Sequence, residues 1–247
     1  MTNQLKLKQL LKLLDLTRLN EADDAAAMQR WLSQHVRADA MPAAFCVYPQ
    51  FLAQTNTALI QQQVAVQLAT VVNFPAGLAP ADQVVAEIEQ ALALGATEID
   101  CVLPYRALLA GECGQVKSFL YDVRQACPQA SLKIIIESGE LSTAQQIIKA
   151  TELVIEGGAD FVKSSTGKVP VGITIEAARI MLTVIAAAGR PVGFKASGGV
   201  RTVAQALELC ELYETVTGRL AQPELVRIGA SALYQELLTA LALPPQA

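Results

Sequence analysis

The sequence predicts one (β/α)₈ barrel, the TIM-barrel architecture, preceded by a short extra helix. Three observations lead there. Eight short apolar runs recur along the 247 residues, with a helical pattern in every gap between them. No linker or low-complexity stretch divides the chain, so 1–247 reads as a single domain, a length that barrels routinely use. A doubly wound sheet is the competing arrangement. Its first strand-to-helix turn would carry G-x-G-x-x-G, which is missing, whereas Gly198-Gly199 falls late, where barrels often hold phosphate.

In chain order, the first ten residues form the opening helix, with lysines set among its leucines and no long apolar core of a secretory leader. LLDLT at 13–17 is the first strand, and Asn20 caps a helix over 21–36. AFCVY at 44–48 precedes a helix at 51–61, QLATVV at 67–72 one at 80–94, and EIDCVL at 98–103 one at 105–126. KIIIE at 133–137 leads to a helix at 142–156 that stops at Gly157-Gly158. FVKSS at 161–165 is the sixth strand, and Thr174 opens the helix that runs to 188. GFKAS at 193–197 with a helix at 203–217, then RIGA at 227–230 with a helix at 231–241, complete the set.

Composition narrows the function. Hydrophobic residues make up 52% and aromatics 5%, as expected of a sheet covered by helices rather than an aromatic-rich sandwich. The net charge of -4 comes without a basic run or an aromatic-interleaved patch, which argues against nucleic acid and anionic membranes and for a small soluble substrate. No stretch approaches the roughly 20 apolar residues of a membrane span. Five cysteines with no C-x-x-C pair argue for reduced thiols and a cytoplasmic location. The single histidine, His35, lies among polar neighbours and reads as a surface residue, so histidine metal sites and Ser-His-Asp triads lack material. No metal or bound cofactor is expected.

Lys163 sits inside an otherwise apolar strand, and a charge there needs a reason. It either snorkels from the strand end or is held in the barrel interior, where burial and neighbouring cations lower its pKa. Residues two apart share a strand face, so Phe161, Lys163 and Ser165 share one, as do Gly193, Lys195 and Ser197. Asp100 on the fourth strand, Lys133 and Glu137 on the fifth, Asp15 and Thr17 on the first, and Cys46 on the second add to the inward-facing set. A structural barrel would fill these places with Val, Ile and Leu. A buried ion network that merely orders the barrel is the alternative, but such networks stabilise weakly, and chemistry explains the cluster better.

Magnitudes select the chemistry. A lysine must fall from about 10.4 to near 7 to offer a free amine at neutral pH, a change of roughly 4 to 5 kcal/mol. Two ammonium groups about 4 Å apart at an effective dielectric near 20 repel by about 4 kcal/mol, so Lys195 could supply most of that shift. A free amine attacks a carbonyl to form a Schiff base, whose protonated nitrogen accepts electrons during carbon-carbon cleavage. Asp100, with Lys195, would move protons between the intermediates.

The ordered segments LLDLTRL, CVYP, VVNFPAG, EIDCVLPYRAL, KIIIESGEL, DFVKSSTGK, GFKASGGVRT and RIGAS resemble the deoxyribose-phosphate aldolases, class I aldolases with a (β/α)₈ fold, nearly end to end. By matching position, the resemblance implies that Lys163 forms the Schiff base, Lys195 depresses its pKa and Asp100 relays protons. It places Asp15 and Thr17 at the sugar hydroxyls. Thr166, Gly167, Lys168, Ser197, Gly198, Gly199, Gly229 and Ser231 fall around the phosphate; Cys46 and Lys133, placed inward by strand parity alone, are expected near the substrate. The implied reaction is reversible cleavage of 2-deoxy-D-ribose 5-phosphate to D-glyceraldehyde 3-phosphate and acetaldehyde, with a homodimer as the implied assembly. Three positions depart from the pattern: Ala232 replaces a second serine beside the phosphate, Ala196 replaces a proline, and the LPPQA terminus lacks a tyrosine that some members use as a proton donor.

Overall fold

The computed structural model describes residues 3–243. Helix α1 (Asn3–Leu13) leads into β1 (Leu14–Arg18), α2 (Ala25–His35), β2 (Ala44–Val47), α3 (Leu52–Gln61), β3 (Gln67–Val72) and α4 (Ala81–Ala93). Then follow β4 (Glu98–Val102), α5 (Tyr105–Leu109), α6 (Cys113–Ala126), β5 (Ser131–Ile135), α7 (Ala144–Glu156) and β6 (Phe161–Lys163). The chain continues through α8 (Ile175–Ala186), β7 (Gly193–Ser197), α9 (Val203–Thr217), β8 (Val226–Ala230) and α10 (Ala232–Ala240). All eight strands pair in parallel and in sequence order, and β8 closes onto β1. This is the expected (β/α)₈ barrel with one added helix at its start. Residues 1 and 2 of the expected opening helix, and 244–247 of the terminus without tyrosine, lie outside the described residues.

The apolar core fills the space between barrel and helices, because each strand turns one set of alternate side chains outward. On β5 these are Leu132 and Ile134, and on β7 Phe194 and Ala196, all buried. Ala196 therefore faces the helices rather than the barrel interior. Among the described residues no helix is long and apolar enough to cross a membrane.

Several expected boundaries move, each for a local reason. The helix expected over 105–126 is two helices, because Gly111 adopts a φ of +82° that no helix interior admits. The helix expected from 21 starts at Ala25, since Asp24 rather than Asn20 supplies the cap, accepting from the Ala27 N–H at 2.7 Å. Asn20 instead bonds Asp23 within a turn that Arg18 also holds. β6 ends at Lys163 rather than 165, although the Ser164 N–H still donates to the Lys195 carbonyl at 3.0 Å. His35 is half-buried rather than a surface residue: it stacks on Trp31 at 4.9 Å, shares Nδ1 with the Trp31 carbonyl, and burial lowers its pKa.

Gly193 opens β7 where the Phe161 ring of β6 crosses it. A Cβ there would lie 2.3 Å from two ring carbons. Gly193→Ala is therefore expected to lower stability by about 1–3 kcal/mol by overpacking. Urea unfolding measures this, and an unchanged midpoint would show that the ring yields freely.

Candidate active site

Strand register builds the site. Lys163 on β6 lies opposite Lys195 on β7, and Lys195 opposite Arg227 on β8. On the other side of the barrel Asp100 of β4 pairs in register with Lys133 of β5. Alternation points all of these inward, and they meet in one buried ion cluster.

Asp100 is its hub. Oδ1 accepts from Lys133 at 2.9 Å, while Oδ2 accepts from both Lys163 at 2.8 Å and Lys195 at 2.6 Å. Asp15 binds Lys195 at 2.5 Å through Oδ2 and Arg227 at 2.7 Å through Oδ1, with Lys133 at 3.5 Å. Glu98 binds Lys133 at 2.5 Å and Arg227 at 2.8 Å. Lys133, Lys195, Asp15 and Asp100 are 0% exposed, and Lys163 is 3% exposed.

The electrostatics separate the two facing lysines. Burial pushes the Lys163 amine down from its ordinary value; Asp100 pulls it back, Lys195 pushes it further down, and the net result is a lowered pKa. Burial acts on Lys195 in the same direction, but Asp100 and Asp15 together hold it above the ordinary lysine value. One carboxylate against two is the difference. Burial would also raise the Asp100 carboxyl, yet Lys133, Lys163 and Lys195 keep it well below the usual range, so it is a carboxylate throughout neutral pH.

Above the cluster, at the carboxyl ends of the strands, lies a cavity of about 320 Å³. It is lined by Thr17, Lys163, Thr166, Gly167, Lys168, Ser197, Gly198, Gly199, Gly229 and Ser231, which the sequence had brought to one place. Leu19, Arg201 and Ala232 join them. Asp15, Cys46, Asp100 and Lys133 do not line the cavity; they are fully buried in the barrel interior. Cys46 stands in register with Thr17, among Ala44, Ala69 and Val71, and burial raises its thiol.

The rim suits an anion. Gly198 and Gly199 take φ values of +84° and +93°, a conformation that exposes successive backbone N–H groups. Ser231 begins α10 without using its side chain as a cap, which leaves the positive end of that helix open toward the cavity. Lys168 reaches across the mouth to the Leu19 carbonyl at 2.9 Å and to Glu21 at 3.2 Å. The loop after β6 is held by Glu137, which accepts from the Ser165 and Thr166 hydroxyls at 2.5 Å each.

Glu137 thus departs from its expected place in the lysine cluster. Its φ of +51° ends the strand alternation that would have turned it inward. Conversely, Glu98 and Arg227 were missed, though Glu98 is two residues before Asp100 and Arg227 two before Gly229, so the same spacing rule marks both. No cluster of histidine, cysteine or carboxylate residues suited to a metal occurs among the described residues.

The fold resembles solved aldolase structures. A Coccidioides immitis protein provisionally named deoxyribose-phosphate aldolase superposes with a TM-score of 0.81 at 28% identity, over 93% of this chain and 86% of that one. QR15, an aldolase, gives 0.80 at 28% identity, over 95% and 99%. The deoxyribose phosphate aldolase of Aeropyrum pernix, whose structure is described as tetrameric, gives 0.75 at 21% identity, over 96% and 92%, and shares the fold. A family model described as DeoC/LacD family aldolase matches residues 9–233. With that match over most of its length and this barrel, the chain belongs to the DeoC/LacD family of aldolases.

Proposed function

We propose that this aldolase cleaves 2-deoxy-D-ribose 5-phosphate reversibly to D-glyceraldehyde 3-phosphate and acetaldehyde through a Schiff base on Lys163, a step of deoxyribonucleotide breakdown. One observation carries the reading: of the three buried lysines gathered on Asp100, Lys163 alone lines the cavity, and it alone has a lowered pKa. The name of the 28%-identical Coccidioides immitis neighbour supports the substrate.

The neutral amine adds to the C1 aldehyde of the open-chain sugar, and loss of water from the carbinolamine gives an iminium. Deprotonation of the C3 hydroxyl then breaks the C2–C3 bond, and its electrons move into the iminium as an enamine. Asp100 Oδ2 contacts the side-chain nitrogens of both Lys163 and Lys195, so Asp100 and Lys195 are placed to pass protons between these species. Thr17 would meet the sugar hydroxyls. Asp15 would act on them through Lys195, being buried beneath it. The phosphate would rest on Gly198, Gly199 and Ser231, with Lys168 leaving Glu21 to join it. A homodimer and a cytoplasmic location complete the reading; the five free cysteines agree with a reducing compartment.

Borohydride reduction with acetaldehyde, followed by peptide mapping, tests it. A two-carbon label on Lys163 is expected; a label on Lys195 would reverse the assignment, and none at all would sink the imine. Substrate class is tested at Ala232, which faces the cavity where a hydroxyl could meet phosphate. Since a hydrogen bond to a charged group contributes about 1.5–3 kcal/mol, Ala232→Ser is expected to raise kcat/KM for the phosphorylated sugar about tenfold. The value for unphosphorylated deoxyribose should stay unchanged. Equal effects on both sugars would place the phosphate elsewhere.

A further inference from the structure

Beneath the cavity the ion cluster contains two residues that no substrate could touch. Arg227 has every nitrogen engaged: Nη1 donates to Asp15 at 2.7 Å and to Glu98 at 3.1 Å, Nη2 to Glu98 at 2.8 Å, and Nε to the Pro223 carbonyl at 2.6 Å. The Phe161 ring lies 5.6 Å from its guanidinium. Glu98 in turn holds Lys133 at 2.5 Å. Neither Glu98 nor Arg227 lines the cavity.

We infer that Glu98 and Arg227 are positioning residues for the reactive amine, a buried pair that sets the charge balance keeping Lys163 unprotonated and does so with opposite signs. The inference rests on the reading that Lys163 forms the imine, and it adds what lies three and four ion pairs away.

The charges make the case. Four basic groups (Lys133, Lys163, Lys195 and Arg227) face three acidic ones (Asp15, Glu98 and Asp100) in a buried volume that meets the cavity only at Lys163. An uncompensated buried charge is costly, so one proton is in excess. Arginine does not give one up. Lys133 is held by three carboxylates and Lys195 by two, whereas Lys163 meets Asp100 alone. Lys163 also faces the cavity, through which the proton can leave. Its loss leaves three cations balancing three anions.

The groups facing Lys163 are Asp100 on β4, Lys195 on β7 and the Cys46 thiol on β2, with Lys133 on β5 acting through Asp100. Those facing Arg227 are Asp15 on β1 and Glu98 on β4, with Lys133 on β5, held by the same Glu98, repelling it. Arg227 occupies one oxygen of Asp15 and so leaves the other to Lys195, while Glu98 fixes Lys133 against the far oxygen of Asp100. Removing the Arg227 charge would let a protonated Lys163 balance the cluster, so the amine should hold its proton to higher pH. Removing the Glu98 charge widens the excess, and the amine should lose its proton at lower pH.

The test reads Lys163 itself rather than turnover. Full-length protein is labelled with acetaldehyde and cyanoborohydride across pH, and the midpoint of labelling at Lys163 is found by peptide mapping. A charge about 8–10 Å away at an effective dielectric near 20 moves a pKa by about one unit. Glu98→Gln is expected to lower the midpoint by about that much, and Arg227→Gln to raise it. Arg227→Lys keeps the charge and should restore the midpoint. The double variant Glu98→Gln with Arg227→Gln keeps one excess proton and should also return close to the unaltered protein. Should Arg227→Gln not fold, the near-isosteric Glu98→Gln and the double variant decide. Shifts in the same direction for both residues, or midpoints that stay put, would overturn the inference while leaving the imine assignment intact. Absence of label from Lys163 in the unaltered protein would defeat that assignment instead.

Discussion

Lys163→Arg is expected to abolish aldol cleavage, lowering kcat/KM by about 10⁴-fold or more, the scale of loss seen when a covalent nucleophile is removed. The substitution is chosen to separate chemistry from charge. A guanidinium can still pair with Asp100 Oδ2, but it stays protonated at every accessible pH, adds a fixed cation to the three that balance the carboxylates, and offers no amine. Lys195 cannot take over, because it is 0% exposed, is held by both Asp15 and Asp100, and has its Cε within 3.1 Å of where a Gly229 side chain would begin. The measurement is steady-state cleavage alongside borohydride labelling. Loss of both in a protein that still unfolds cooperatively, at a somewhat lower melting temperature, is the expected result. A variant that keeps a tenth of the activity would show that imine chemistry does not run through this residue.

How much of this could be read from sequence depends on the range over which the deciding forces act. Strand parity is local, and it correctly turned Lys163, Lys195, Asp100, Lys133 and Asp15 into one barrel interior. The same rule contained Glu98 and Arg227, yet each begins its apolar run in the sequence, where a charge reads as a surface end rather than an inward residue. Glu137 failed in the opposite sense, because a left-handed backbone at that one position redirects the side chain to the loop after β6. Burial was expected from the sequence but given too little weight. The sequence shows which charges are neighbours, so repulsion from Lys195 looked sufficient to free the Lys163 amine; the structure puts desolvation first and shows Lys195 pinned by two carboxylates of its own. Which lysine opens to the cavity follows from the packing of four different strand ends and from nothing in either lysine's local sequence.

That ordering of causes gives the last expectation its size and its sign. Lys195→Leu should leave a folded, partly active enzyme whose rate at pH 7 falls about a hundredfold and recovers as the pH rises. No carboxylate is orphaned by the change, since Asp15 keeps Arg227 and Lys133, and Asp100 keeps Lys133 and Lys163. Lys163, however, loses a cation that shares its acceptor oxygen and now has Asp100 Oδ2 to itself. Removing a like charge favours the ammonium, so the Lys163 pKa goes up, and each unit of rise leaves tenfold less amine below it. Repulsion between ammonium groups about 5 Å apart at an effective dielectric near 20 corresponds to about two units, hence the hundredfold loss. Burial continues to oppose the ammonium in the variant, which is why activity persists at all instead of vanishing as with Lys163→Arg. The pH dependence of kcat/KM is the measurement: a profile displaced toward alkaline pH supports the electrostatic role, whereas a uniform drop parallel to the parent curve would mean that Lys195 contributes proton transfer alone.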